Sequence, residues 1–207
     1  MGHLRSRLLN FTFQLLYNRF VLFHELAGLV VFGSAWSERR ILILKGIGEH
    51  ATVLDLGAGE GRLVDFARER GLTVTGVDPS PSMREAARKR HVEVLDGSSF
   101  AIPYPDRSID HLVSTYPGSW IVDERTWEEI DRVLRQDGTV RILVGGTYER
   151  GTGAALRRWI SMLVYGKRPP RSFEIPSAIH QGFTVRTETV RDEWGVAILV
   201  NANRSAG

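Results

Sequence analysis

The sequence predicts an α/β fold: a doubly wound, mostly parallel sheet of seven strands with a C-terminal antiparallel hairpin and an N-terminal helical lid. Three observations predict it. Between residues 51 and 144, apolar runs of strand length alternate with amphipathic stretches of helix length. Gly57, Gly59 and Gly61 separate the first run from the stretch after it, and Asp78 closes the second run. Near the end, extended runs at 182–190 and 194–200 are parted only by Arg191-Asp192-Glu193, a hairpin spacing.

Taken in order, residues 6–33 predict one or two helices, because Phe13, Leu16, Phe20, Phe23, Ala27 and Val30 recur at steps of three and four. Such a face must be covered. A packed helix, a lid over a substrate pocket, a dimer surface and a peripheral membrane contact all remain open as its role. A helix over 37–47 follows, with Ser37 as N-cap and Gly46 and Gly48 at its end. Then come strand 52–56, helix 61–70 ended by Gly71, strand 72–77, helix 81–90, strand 92–95, strand 109–114, helix 123–135, a turn at Asp137-Gly138 and strand 139–144. Right-handed crossovers would align the C-terminal strand ends along one edge. A helix over 152–165, a basic loop at Lys167-Arg168-Pro169-Pro170-Arg171 and a frayed tail over 201–207 complete the expectation. Residues 1–50 read as the helical lid and 51–207 as the core, together a single domain.

Composition narrows the function. With no cysteine, disulfides, thiolate zinc sites and cysteine nucleophiles are excluded. His3, His24, His50, His91, His111 and His180 share no ligating spacing, so no metal is expected. The net charge is only +3 and acids are interspersed with the arginines, which argues against a nucleic-acid partner. The apolar run 26–36 is far shorter than the roughly 18 residues of a spanning helix. The cytoplasm is the default location.

Chemistry concentrates in Val53-Leu54-Asp55-Leu56-Gly57-Ala58-Gly59-Glu60-Gly61-Arg62-Leu63. Glycine at alternate positions permits positive φ and leaves no side chain between main chain and ligand. Asp78, at the end of the adjacent strand, can accept from the hydroxyls of a ribose. Dinucleotide sites use G-x-G-x-x-G to bring a pyrophosphate to a helix N-terminus. This chain has G-x-G-x-G, with Asp55 and Glu60 nearby, which disfavours phosphate and favours a cationic cofactor. S-adenosylmethionine is therefore expected rather than NAD.

The chain resembles a class I S-adenosylmethionine-dependent methyltransferase of the broad small-molecule group that includes the quinone-biosynthesis enzymes. The resemblance runs from about Tyr17 to Val144 and rests on four stretches: the glycine motif, Val77-Asp78-Pro79-Ser80-Pro81-Ser82-Met83, Ile102-Pro103-Tyr104-Pro105-Asp106-Arg107-Ser108-Ile109-Asp110, and Glu129-Ile130-Asp131-Arg132-Val133-Leu134-Arg135-Gln136-Asp137-Gly138. It implies a Rossmann-like core in which Gly57, Ala58, Gly59 and Gly61 line the methionine end of the cofactor and Asp55 faces its ammonium. It further implies that Asp78 and Pro79 hold the ribose, that Met83 packs on the adenine, and that Ser98, Ser99 and Ser114 complete the cofactor site. Gly97-Ser98-Ser99 departs from the common Gly-Asp-Ala and lacks its carboxylate, so weaker adenine binding is expected. Val21-Leu22-Phe23-His24-Glu25 departs from Ala-x-x-Tyr-Asp, which brings His24 forward. Gln136-Asp137-Gly138 replaces Pro-Gly-Gly and should affect only the turn.

Methyl transfer from a sulfonium has an excellent leaving group, so alignment can supply on the order of 7–11 kcal/mol, and a base is needed only when the nucleophile must lose a proton. Tyr116, His24 and His111 are the candidate bases, and Tyr17, His24, Tyr116 and Trp120 the expected walls of a pocket for a small apolar or aromatic acceptor. A cofactor-binding protein without catalysis and a nicotinamide-dependent oxidoreductase are the alternatives.

Overall fold

The computed structural model describes residues 39–148, 175, 182–193 and 195–205. Five strands run parallel: β1 (Val53–Leu56), β2 (Val74–Asp78), β3 (Val94–Asp96), β4 (Ile109–Thr115) and β5 (Leu134–Tyr148). Two more, β6 (Phe183–Asp192) and β7 (Gly195–Arg204), form the hairpin, and β7 runs antiparallel to both its neighbours. The seven strands, mostly parallel with the hairpin at the end as expected, are ordered β3-β2-β1-β4-β5-β7-β6. The order reverses between β1 and β4. That is the position where an open α/β sheet leaves a crevice beyond its strand ends.

Helix α1 (Arg62–Arg68) begins directly after Gly61, α2 (Pro81–Lys89) follows β2, and α3 (Glu124–Val133) precedes β5. Ser80 caps α2, its Oγ accepting from the Met83 amide, and Pro81 occupies the first turn where a missing N–H costs nothing. Asp123 caps α3 by accepting from the Arg125 amide at 3.1 Å.

Alternation along the strands divides the core in two. Leu54 and Leu56 of β1 join Trp127, Ile130 and Val133 of α3 and Phe183 of β6. Val53 joins Leu63 and Ala67 of α1 and Ile43 and Leu44. The sheet is therefore covered on both faces, as a buried parallel sheet requires.

Several boundaries differ from expectation. In place of the helix over 37–47 there is a short 3₁₀ turn, Arg40–Leu44, among the described residues. It is fastened by a buried side chain just before it: Arg39, 1 % exposed, grips Asp192 through Nε–Oδ2 at 2.7 Å and Nη2–Oδ1 at 2.8 Å. Asp137-Gly138 does not end a helix before a new strand. β5 begins at Leu134, opposite Ile109, and the register jumps so that His111 faces Thr139, which absorbs Asp137-Gly138 as a bulge. The hairpin turns after Asp192 and not at Arg191-Asp192-Glu193 as expected, because Arg191 and Asp192 still pair with Val196 and Gly195. The tail is not frayed from residue 201, since β7 continues to Arg204, whose guanidinium donates to the carbonyls of Asp131 and Leu134. Residues 1–38 of the lid expected over 1–50, the helix over 152–165 and the basic loop at 167–171 lie outside the described residues, as do Tyr17 and His24.

Candidate functional site

The glycine turn is built by backbone geometry. Gly57, Gly59 and Gly61 have φ of +77°, +58° and +76°, values that a side chain would strain. Gly57 and Ala58 donate their amides to the Val77 carbonyl at 2.9 and 3.0 Å, Gly59 donates to Asp78 Oδ2 at 2.9 Å, and Gly61 donates to the Ala58 carbonyl at 3.0 Å. These amides are consumed within the protein. A phosphate would need such donors free, so the turn offers its Cα surface and carbonyls to a ligand instead of an anion cradle.

β2 makes the close approach possible. A side chain on Gly76 would begin 2.7 Å from the Cβ of Ala58, so a larger residue would push the turn away. Gly76 belongs to the site's construction although the sequence reading passed over it; an isolated glycine inside an apolar strand was the available signal.

Asp78 stands at the C-terminal end of β2 with each carboxylate oxygen held: Oδ2 by Gly59 and Oδ1 by the Ser80 amide at 2.9 Å. Each oxygen keeps a second lone pair for a ligand hydroxyl. Burial raises the Asp78 pKa, opposed by the Ser80 and Gly59 amides and by Arg84. Arg84 donates to the Asp78 carbonyl at 2.8 Å and pairs with Asp96 at 2.9 Å, tying the ends of β2 and β3 together. Neither Arg84 nor Asp96 was anticipated, because an exposed-looking Arg-Glu helix gives no sign of a long-range partner.

Asp55 sits lower in the crevice, on β1 between Gly76 and Val113, and is 1 % exposed. Burial pushes its pKa up to about 7, with Arg40 lowering it and Asp78 raising it. Its Oδ1 is buried without a hydrogen-bond partner. An orphaned buried carboxylate oxygen beside a side-chain-free turn suits a ligand ammonium. Glu60, expected to add to this negative field, instead pairs with Arg62. Asp55 and Asp78 therefore carry the site's acidity.

The remaining residues divide by position. Met83 borders the turn, its Sδ 3.9 Å from where a Gly59 side chain would begin. Pro79 is exposed beside Asp78. Ser98 forms a tight bridge with Ala101, its Oγ accepting from the Phe100 amide at 3.3 Å, and Ser99 is buried beside it. Ser114 is fully buried, and its hydroxyl donates to the Leu56 carbonyl at 2.7 Å, stitching β4 to the last residue of β1. Its proton is thus committed to the scaffold.

Beyond β4 the chain turns sharply. Tyr116 takes φ +53°, and its amide donates to the Leu143 carbonyl at 2.7 Å. The 3₁₀ turn Ser119–Val122 then brings Trp120 back over the site, where a side chain on Gly57 would meet its Cζ2 at 3.1 Å. His111 is not brought to this edge. It pairs in register with Val53, at the opposite end of β1 from the glycine turn, and its Nδ1 lies 2.8 Å from Thr139 Oγ1. Burial and Arg141 hold its pKa below the usual histidine value, against Asp110.

Residues 54–142 match the family described as a methyltransferase domain. An uncharacterized methyltransferase of Mycobacterium tuberculosis is 37% identical over 100 residues, 47% of this chain and 41% of that protein. One of Bacillus subtilis is 35% identical over 85 residues, 40% of this chain and 39% of that protein. The chain thus spans about two-fifths of the length of these relatives. Among solved structures, an S-adenosylmethionine-dependent methyltransferase of Thermotoga maritima shares the fold with a TM-score of 0.62 at 21% identity, over 91% of this chain and 98% of that one. A geranyl diphosphate methyltransferase in complex with S-adenosylmethionine gives 0.57 at 19% identity, over 84% and 86%.

Proposed function

We propose that this chain, whose residues 54–142 match a methyltransferase domain family, is a class I S-adenosylmethionine-dependent enzyme that transfers a methyl group from S-adenosylmethionine to a small acceptor. The observation that carries the reading is the pairing of a buried, partnerless Asp55 oxygen with a glycine turn whose amides are already spent. Such a site attracts a cation and withholds its glycine amides from a phosphate, which also disfavours a nicotinamide dinucleotide.

When bound, S-adenosylmethionine supplies a methyl carbon on a sulfonium, and attack by the acceptor breaks that carbon–sulfur bond with the electron pair leaving on sulfur. Asp55 would hold the amino-acid ammonium, Asp78 the ribose hydroxyls, and Gly57 to Gly61 the space between them. Met83 would cover the adenine side. Tyr116 and Trp120, both partly buried at the β4 edge, would wall the acceptor and exclude water, which favours an apolar or aromatic molecule. Positioning supplies most of the rate in such a displacement.

Calorimetry with S-adenosylmethionine and S-adenosylhomocysteine tests the assignment. Binding is expected in the wild type and lost in Asp78→Ala. Unchanged binding in that variant, or binding of NADH in place of both ligands, would overturn it.

A further inference from the structure

We infer that Trp120 limits the alkyl group that the site accepts on the donor's sulfonium, and so restricts transfer to a single carbon. This rests on the reading of the glycine turn as the donor's site and adds to it a residue that sets specificity.

The indole lies close to two glycines. A side chain at Gly57 would begin 3.1 Å from Cζ2, with Cη2 and Cε2 next at 3.9 and 4.0 Å, so the benzo part of the ring faces the turn. A side chain at Gly118 would begin 3.1 Å from Cδ1 and 3.3 Å from Nε1, along the pyrrole part. Absence of a side chain at both positions is what admits the ring.

The main chain carrying the ring is fixed as well. The Trp120 carbonyl accepts from Thr126 Oγ1 at 2.9 Å and from the Asp123 amide at 3.1 Å, and the Ile121 amide donates to the Gly118 carbonyl at 3.3 Å. Trp127, next to Thr126 on α3, anchors the same turn by donating Nε1 to the Ile121 carbonyl at 2.9 Å. A ring packed close to Gly57 and carried on a fastened turn cannot retreat freely.

The sheet order says which part of the donor reaches it. Asp78 on β2 marks the ribose, and β1 lies between β2 and β4. A donor with its ribose at Asp78 and its ammonium over Asp55 brings its sulfonium to the β1–β4 edge, where the Trp120 ring overhangs Gly57. A methyl group is the smallest carbon substituent that can stand there. One more methylene must displace the indole or the donor, and a single methylene in a tight pocket changes affinity by about 10- to 200-fold.

The test compares S-adenosylmethionine with S-adenosylethionine, its S-ethyl homologue, by calorimetry, with thermal melting to monitor folding. The wild type is expected to bind the methyl compound at least about tenfold more tightly, Trp120→Ala to narrow the gap to within about threefold, and Trp120→Phe to fall between. Gly118→Ala presses on the pyrrole edge and is expected to keep or widen the gap. Equal affinities in the wild type would overturn the inference, as would an unchanged ratio in folded Trp120→Ala. Should that variant not fold, an unchanged ratio in Trp120→Phe, or a gap that Gly118→Ala narrows, would overturn it. Failure of both compounds to bind the wild type would overturn the donor-site reading beneath it.

Discussion

Asp78 Oδ2 accepts the Gly59 amide at 2.9 Å, so the residue proposed to hold a ribose also holds the glycine turn in place. Asp78→Asn separates these duties. An amide side chain presents an N–H where a carboxylate oxygen accepted from Gly59 or Ser80, leaving one backbone donor unsatisfied at a cost of about 1–3 kcal/mol. Lower stability in denaturant titration is expected together with loss of S-adenosylmethionine binding.

Asp55 gives a pH dependence with a definite sign. Its pKa is raised from 3.8 to about 7, so between those values the folded chain binds a proton that the unfolded chain has released. Stability from this group is present in full below the unfolded pKa and falls as pH rises toward 7, by at most about 1.4 kcal/mol per pH unit. Asp55→Asn is expected to flatten that slope, to be more stable than the wild type near pH 8 without ligand, and to lose cofactor affinity. Urea titrations across pH 5 to 8 measure the first two, and calorimetry the third.

The turn glycines should separate folding from binding. A side chain at Gly61 would begin 2.5 Å from Val92 Cγ1 and 3.3 Å from Val94 Cγ2 at a φ of +76°, so Gly61→Ala combines overpacking with backbone strain and should cost about 2–4 kcal/mol. At Gly59 the nearest atom is the flexible Met83 Sδ at 3.9 Å. Gly59→Ala should cost only the strain of its φ, about 1–2 kcal/mol, and weaken cofactor binding more than it weakens the fold. Melting temperatures and calorimetric affinities of the two variants check this ordering.

Arg39 and Asp192 predict a large effect far from the site. Asp192→Ala removes the carboxylate to which Arg39 donates through Nε and Nη2 while Nη1 keeps the Val196 carbonyl at 3.1 Å, and breaking one side of a buried pair costs about 3–5 kcal/mol. Replacing both residues with apolar ones, Arg39→Met with Asp192→Leu, should recover much of the loss. A double-mutant cycle in denaturant measures the coupling.

The parts of this structure legible in the sequence are those whose cause is local. Short apolar runs marked β1 and β2, and alternate glycines marked the turn between β1 and α1. What escaped was set by distant partners. Asn201 and Asn203 look like a polar tail, yet they pair with Arg141 and Thr139 of β5 and extend β7 to Arg204. Asp137-Gly138 has the composition of a turn, but the register between β4 and β5 turns it into a bulge. Asp55 and Asp78 stand out as candidate site residues by spacing, whereas the partnerless oxygen of Asp55 and the approach of the Trp120 indole to Gly57 depend on packing that no spacing reveals.

The place of β7 in the sheet bears on biosynthesis. This late strand lies between β5 and β6, and Tyr148 of β5 faces Gly195. During translation β5 therefore emerges well before the strand that closes its outer edge, and an open strand edge invites pairing with other chains. The nascent protein passes through an interval in which it depends on chaperones or on speed, and truncations that remove β7 should yield aggregates rather than a smaller folded domain.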